Sequence, residues 1–180
     1  TDFVDNNDGM WFKSSSGHAI DYYYMAGSAT DGDVAIKRMR ELTGDVPMVP
    51  LWAYGYFQSK ERYQSGDEVM GVVKKYRSLG VPLDCVVQDW QYWGGNDMWN
   101  AMDFLASGYK NCYQEMIDSV HDMHAKIIIS FWANFGKNTD QFAYFKQHNE
   151  LMMCGDTVMT CTYPENEGVA IYDTYSKDAR

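Results

Sequence analysis

Basic residues are scarce in this chain. Lys and Arg number 15 against 25 Asp and Glu, a formal net charge of −10 over 180 residues. Phosphate backbones are held by clustered Lys and Arg. The imbalance therefore excludes nucleic acid as a partner class, and an anionic membrane surface with it. A neutral ligand meets no such penalty. No uncharged apolar run reaches the roughly 18 residues that mark a membrane-crossing helix. The first residues, Thr1-Asp2-Phe3-Val4-Asp5, are acidic where a secretory leader would be basic and then apolar. The chain thus carries no targeting segment of its own, and periplasm and cytoplasm both stay open as compartments. The four cysteines, Cys85, Cys112, Cys154 and Cys161, never stand at Cys-x-x-Cys spacing. That excludes zinc-ribbon and thioredoxin-like sites. Cys85 sits in an apolar run and is expected as a buried free thiol. Cys154 and Cys161 are spaced to bridge a hairpin if the compartment is oxidising.

Aromatic residues, by contrast, are abundant: 16% of the chain, with 6 Trp and 14 Tyr. They make either a large aromatic core or a surface that stacks on flat apolar faces, such as those of sugar rings. Their positions must decide between the two. The 12 methionines read as core filler.

The chain opens with β-rich runs, Met10-Trp11-Phe12 and Ile20-Asp21-Tyr22-Tyr23-Tyr24-Met25, bounded by Asp8-Gly9, Ser16-Gly17 and Gly27-Ser28. Two or three such strands are not stable alone, so they are expected to join strands upstream. Residues 31–43 read as a helix, with Thr30 as cap, Asp33 in the capping-box position, and Gly44 then Pro47 as the stop. An alternation follows. Leu51 to Phe57 reads as a short strand. Ser65-Gly66-Asp67-Glu68 opens a helix with Val69, Val72, Val73 and Tyr76 inward, closed by Gly80 and Pro82. Leu83 to Gln88 is a second strand. Asn111-x-x-Gln114 opens a helix carrying Met116, Ile117, Val120 and Met123. Ile127 to Phe131 is a third strand, and Asn138 to about Leu151 a third helix with Phe142 and Phe145 on one face. Apolar strands alternating with helices mean a parallel sheet covered by helices. Periodicity does not separate a doubly wound sheet from a (β/α)₈ barrel. No Gly-rich phosphate loop follows the first strand, which counts against a nucleotide-binding fold.

Parallel α/β folds bind ligands at the carboxyl ends of their strands. Those ends carry Gln58-Ser59-Lys60-Glu61-Arg62-Tyr63, Asp89-Trp90-Gln91-Tyr92-Trp93-Gly94-Gly95 and Trp132-Ala133-Asn134-Phe135. Each combines charged or amide groups with rings. Asp89 either accepts hydrogen bonds from two hydroxyls of one sugar, or caps the following loop, or pairs with Lys60 or Arg62. Trp132 is either a pocket wall or rim packing. Glu61 and Arg62 either contact substrate or form a rim ion pair. His121 and His124, three apart on a helix, read as a solvated face rather than metal ligands.

The segment Leu51-Trp52-Ala53-Tyr54-Gly55-Tyr56-Phe57-Gln58-Ser59-Lys60-Glu61-Arg62-Tyr63 resembles glycoside hydrolase family 31, and within it the α-xylosidase-like branch. That branch carries Trp-Ala-x-Gly-x-x-Gln-Ser-(Arg/Lys)-Glu-Arg-Tyr on its first barrel strand. Pro82-Leu83-Asp84 through Gln88-Asp89-Trp90-Gln91-Tyr92-Trp93-Gly94 resembles the second strand. Lys126-Ile127-Ile128-Ile129-Ser130-Phe131-Trp132 resembles the third. Upstream, Gly17-His18-Ala19-Ile20-Asp21-Tyr22-Tyr23 and Arg40-Glu41-Leu42-Thr43-Gly44 fit the end of the family's β-sandwich and the helix entering its barrel. The match runs through most of residues 10–135 in the family's order. Two departures stand out. Tyr109-Lys110-Asn111 replaces Phe-Pro-Asp before the second helix, and His124-Ala125 stands where a Gly usually precedes the third strand.

The resemblance implies an α/β fold with residues 1–30 as closing strands of a β-sandwich, 31–47 as a connecting helix, and 48–180 as the first three βα units of a (β/α)₈ TIM barrel. It implies a retaining hydrolase that removes terminal α-linked xylose, or glucose, from oligosaccharides through a covalent glycosyl-enzyme. Its two carboxylates would sit about 5–5.5 Å apart. In the family the nucleophile follows the fourth strand and the acid/base lies beyond it. Gly168-Val169-Ala170-Ile171-Tyr172-Asp173 through Arg180 resembles the segment just before that strand, so no catalytic residue is expected here. What carries over is part of the pocket for the nonreducing-end sugar: Asp89, Trp132, Glu61, the Phe57-Gln58 pair, and Trp93 beside Asp89. Neither cofactor nor metal is implied. The partner is an oligosaccharide or xyloside, and the open edge of the third strand invites homo-oligomers. The alternative is a noncatalytic carbohydrate-binding or scaffold domain.

Overall fold

The computed structural model describes residues 2–6, 9–161, 163–164 and 168–180. The chain divides into two compact units, Thr1–Met48 and Val49–Arg180.

In the first unit, β1 (Asp2–Asn6) and β2 (Gly9–Lys13) form an antiparallel hairpin, with Asp2 opposite Lys13 and Asn6 opposite Gly9. Its expected turn at Asp8-Gly9 lies partly outside the described residues. The run Ile20 to Met25 is not a strand. No described strand pairs with it, and an aromatic, β-rich sequence without a partner has no ladder to join. Helix α1 (Asp33–Thr43) begins after Gly32 without a side-chain cap. Thr30 is not the cap: it lies two residues too early, and its hydroxyl sits 3.3 Å from that of Ser28. The stop at Gly44 is observed, with φ +83° and its N–H on the Arg40 carbonyl.

The second unit is built on three parallel strands in the order β3 (Phe57–Gln58), β4 (Cys85–Gln88), β5 (Lys126–Ile129). Phe57 pairs with Cys85, and Cys85 with Lys126. They form an open sheet, with no closed barrel among the described residues. The expected strand over Leu51–Phe57 shrinks to its last residue. Leu51–Tyr54 is a 3-10 turn whose Ala53 N–H bonds the Pro50 carbonyl. Pairing starts only where Tyr56 exchanges bonds with Asp84: its N–H donates to Asp84 Oδ2 (3.2 Å), and the Asp84 N–H donates to its carbonyl (3.1 Å). Among the described residues, no strand lies beside the segment upstream.

Helix α2 (Gly66–Ser78) opens as expected, with the Ser65 hydroxyl accepting the Glu68 N–H at 3.2 Å. Val69 and Val73 are fully buried, each adding about 1.5–3 kcal/mol, while Val72 and Tyr76 are half-buried. Gly80 at φ +65° ends it, and Val81 N–H returns to the Tyr76 carbonyl. Helix α3 (Tyr113–Asp122) buries Met116 and Val120 but lacks the expected cap. Cys112 occupies the cap position, and Gln114 donates to Asp118 instead of turning back. The core fills the space between this sheet and α2 and α3: Val69, Val73, Leu83, Val86, Met116, Val120 and Ala125. Arg77 of α2 locks the layers by donating to the carbonyls of Met123, Leu83 and His124.

Strand β5 ends at Ile129, short of the expected Phe131. The Ser130 N–H makes one last bond to the Gln88 carbonyl, and the chain then turns into a loop where Phe131 is 68% exposed. The third helix is also shorter, α4 (Asp140–Gln147), capped by Thr139 on the Phe142 N–H. Asn149, at φ +57°, redirects the chain so that Asp173 N–H reaches the Glu150 carbonyl. Two small antiparallel pairs were not expected: β6 (Asn134–Phe135) with β9 (Ala170–Ile171), and the hairpin β7 (Met153–Cys154) with β8 (Thr157–Val158). All four cysteines are free, so Cys154 and Cys161 form no bridge, and Cys85 is buried, its thiol pushed up by that burial.

Candidate functional site

Neighbouring residues of a strand face opposite ways. Phe57 and Gln58 therefore point to opposite faces of the sheet. Gln58 lies on the helix side, in register with Val86. Tyr76 of α2 donates to its Oε1 over 2.5 Å and Tyr56 to the same oxygen over 3.0 Å. Its Nε2 donates to the Ser59 carbonyl (2.9 Å) and the Tyr63 hydroxyl (3.4 Å). The chain itself uses both ends of this amide. Phe57 lies on the other face, half-buried, its ring 6.1 Å from that of Trp52.

The same alternation organises β4. Val86 and Gln88 face the helices, and Gln88 is fully buried there. Carried one residue past the strand, it puts Asp89 with Val87 and Phe57, away from the helices. Asp89 Oδ1 accepts the Trp90 N–H at 2.8 Å, and among the described residues Oδ2 has no partner. The carboxylate forms no pair with Lys60 or Arg62. Lys60 instead meets Glu68 at 2.6 Å, the only ion pair among the described residues. Glu61 and Arg62, expected as a rim pair or as substrate contacts, are both exposed and unpaired within that set.

Trp93, expected beside the ligand, has no exposed surface. It packs edge-on against Tyr92 (4.9 Å) and Trp99 (5.4 Å), so it supports the loop from behind. Trp132 reaches solvent, 42% exposed, with Tyr163 beside it at 50%. Their centroids are 5.8 Å apart, and both lean on the buried Trp99 at 5.3 and 5.4 Å. Trp99 also meets Trp90 at 5.8 Å, so one ring links the Asp89 loop to the Trp132 loop.

Hydrogen bonds join the same loops. Tyr92 donates its hydroxyl to the Ser130 carbonyl at 3.0 Å, and Tyr109 donates to the Tyr63 carbonyl at 2.6 Å. Burial pushes both phenols up to about 12, in Tyr109 partly offset by the Gln88 amide. Both are therefore fixed donors at neutral pH. Trp99 Nε1 donates to Asn134 Oδ1 (2.8 Å), and Asn100 bonds the backbone of Trp132 and Asn134. Trp99, Asn100 and Tyr163 were not singled out from sequence. The density of Trp, Gly and Asn between Trp90 and Asn100 was the available signal, but their partners lie more than 30 residues away.

The parallel order thus sends Asp89 and Trp132 off the carboxyl ends of the neighbouring strands β4 and β5, whereas Phe57, in register with Cys85 at the start of β4, lies about 13 Å further back along the sheet. A carboxylate with a free oxygen and an exposed indole on the loops of neighbouring strands suit a neutral polyhydroxyl ligand with a flat apolar face. Two cavities lie away from these residues, about 540 Å³ along Phe12 to Asp21 of the first unit and about 310 Å³ among Lys146, Asn149, Leu151, Met153 and Val158. His121 and His124 are both exposed. Among the described residues no three His, Cys, Asp or Glu side chains converge to hold a metal.

Residues 46–180 match the family model described as the TIM-barrel domain of glycosyl hydrolases family 31. An α-xylosidase of Saccharolobus solfataricus is 48% identical over 133 residues, which is 74% of this chain and 17% of that enzyme. An α-glucosidase of Bacillus thermoamyloliquefaciens is 38% identical over 105 residues, 58% of this chain and 13% of that enzyme. The crystal structure of a GH31 α-xylosidase from Xanthomonas citri superimposes with a TM-score of 0.71 at 35% identity, covering 82% of this chain and 16% of that one. The chain therefore spans less than a fifth of each relative's length.

Proposed function

The chain belongs to glycoside hydrolase family 31, and we propose that it builds part of the pocket in which such an enzyme holds a terminal α-linked xylose, or glucose, of an oligosaccharide. In this reading residues 48–180 are the first three βα units of a (β/α)₈ barrel, 31–47 the connecting helix, and 1–30 the closing strands of a β-sandwich. Asp89 accepts hydrogen bonds from two sugar hydroxyls. Trp132 and Phe57 present apolar faces to the ring, and Glu61 lies at the rim. Gln58 and Trp93 act from behind, the first by holding α2 to β3 and the second by supporting the Asp89 loop. The retaining nucleophile and acid/base are assigned to other barrel strands, so no residue here is given a bond-breaking role.

The observation that carries this reading is the side-by-side parallel order of β3, β4 and β5, in which Asp89 and Trp132 follow the carboxyl ends of adjacent strands. Xylose is favoured over glucose because the α-xylosidase match is closer and longer than the α-glucosidase match. The test is Asp89→Asn in the intact protein, titrated calorimetrically with p-nitrophenyl α-xyloside. A charge-assisted hydrogen bond is worth about 1.5–3 kcal/mol, so the affinity should fall roughly ten- to hundredfold. Unchanged affinity would remove Asp89 from the pocket. Nitrophenol released by the 180-residue chain alone would overturn the assignment of the catalytic carboxylates elsewhere.

A further inference from the structure

We propose that Asn100 is the positioning residue of the sugar pocket, holding the backbone of Trp132 and so fixing the angle at which its indole meets the ligand. The inference rests on the reading of Trp132 as a pocket wall.

Asn100 is fully buried, in the loop after β4, and every hydrogen-bonding group of its side chain is used. Oδ1 accepts the Trp132 N–H at 3.1 Å, while Nδ2 donates to the Trp132 carbonyl at 2.6 Å and to the Asn134 carbonyl at 2.9 Å. An amide that takes the N–H and C=O of one residue reproduces the two-point exchange of a strand ladder. Here it does so where β5 has already ended. Phe131, one residue earlier, has neither bond and is largely exposed. Asn134, two residues on, is held a second time by the Trp99 indole N–H. The backbone of Asn100 lies at φ +57°, a region that Asn and Gly tolerate and most side chains do not. Its place in the chain therefore suits no close relative: Gln carries one methylene too many for the buried site, and Asp has no donors.

Two substitutions isolate the clamp. Asn100→Gly keeps the left-handed backbone and deletes the amide. Asn100→Asp keeps the acceptor and sets an oxygen against two carbonyls. In the intact protein hydrolysing p-nitrophenyl α-xyloside, both should raise KM about tenfold and leave kcat within about twofold, the pattern of lost binding shared by ground and transition states. Asn100→Gly should add little in a Trp132→Ala background, because both changes disable the same wall. If Trp132→Ala raises KM but Asn100→Gly does not, or if the two effects multiply, the clamp is overturned and the pocket stands. If Trp132→Ala leaves KM unchanged, the pocket reading itself falls. Hydrogen exchange on the unsubstituted protein gives a check that needs no variant. The Trp132 amide should be protected despite lying outside any strand, and exchange at the rate of Phe131 would overturn the proposal.

Discussion

The Tyr76 hydroxyl of α2 donates to Oε1 of Gln58 over 2.5 Å, and this bond turns a residue that looked like a ligand contact into a joint between helix and sheet. Gln58→Leu leaves the Tyr56 and Tyr76 hydroxyls without their shared acceptor. Stability should drop by about 1–3 kcal/mol, read as a shifted urea midpoint, while xyloside KM changes less than twofold. A large KM change at wild-type stability would return Gln58 to the pocket.

Gly55 lies under Asp84. A Cβ there would stand 1.9 Å from Oδ2 and 2.8 Å from the Asp84 Cβ, so the carboxylate cannot remain on the Tyr56 N–H. Gly55→Ala should destabilise by about 1–3 kcal/mol. Pairing it with Asp84→Gly removes the overlap but not the loss of the acceptor. Thermal melts should therefore show the double variant recovering only part of the loss; full additivity would mean the two side chains do not meet.

The Lys60 hydrogen bond holds the Glu68 carboxyl below its ordinary 4.5, helped by the Gln64 N–H. A depressed carboxyl adds stability that is in place above the unfolded value and disappears as pH falls through the folded one. Denaturant midpoints taken from neutral pH into acid should fall more steeply for the wild type than for Glu68→Gln. Parallel curves would show that the Lys60 contact has no energetic weight.

Tyr92 and Tyr109, both pushed up to about 12, act in the opposite direction. Their raised values favour the protonated folded state, so their contribution is complete below the ordinary value of 10 and declines as pH climbs towards 12. An ultraviolet titration should show the Tyr92 and Tyr109 phenols ionising above the ordinary value of 10, or together with unfolding. Tyr92→Phe should remove one of them and free the Ser130 carbonyl. Ionisation of Tyr92 and Tyr109 at the ordinary value of 10 in the folded protein would contradict the burial.

Strand β5 pairs with β4 alone among the described residues, and Ile128 on it is 40% exposed. Unpaired edges recruit other strands. The 180-residue chain, expressed by itself, should sediment as oligomers, and Ile128→Lys should shift it towards monomer. A monodisperse monomer with a reversible two-state melt would count against an open edge.

Local chemistry was enough to determine several features from sequence alone. The Ser65 cap, the stop at Gly80 and the burial of Val69, Val73, Met116 and Val120 depend on neighbours within one or two helical turns. The alternation of apolar strands with helices determined the parallel order, because parallel strands require crossovers. Other features waited on the fold. Whether Leu51–Tyr54 became strand or turn depended on Asp84, about 30 residues away, which begins the pairing at Tyr56. The opposite facing of Phe57 and Gln58, the enclosure of Trp93, and the hold of Asn100 on Trp132 all arise between segments that meet only after the sheet forms. A hydrogen bond satisfies a buried group without regard to separation along the chain. Residue types therefore announced which groups needed partners, and only the assembled sheet and loops settled which partners they found.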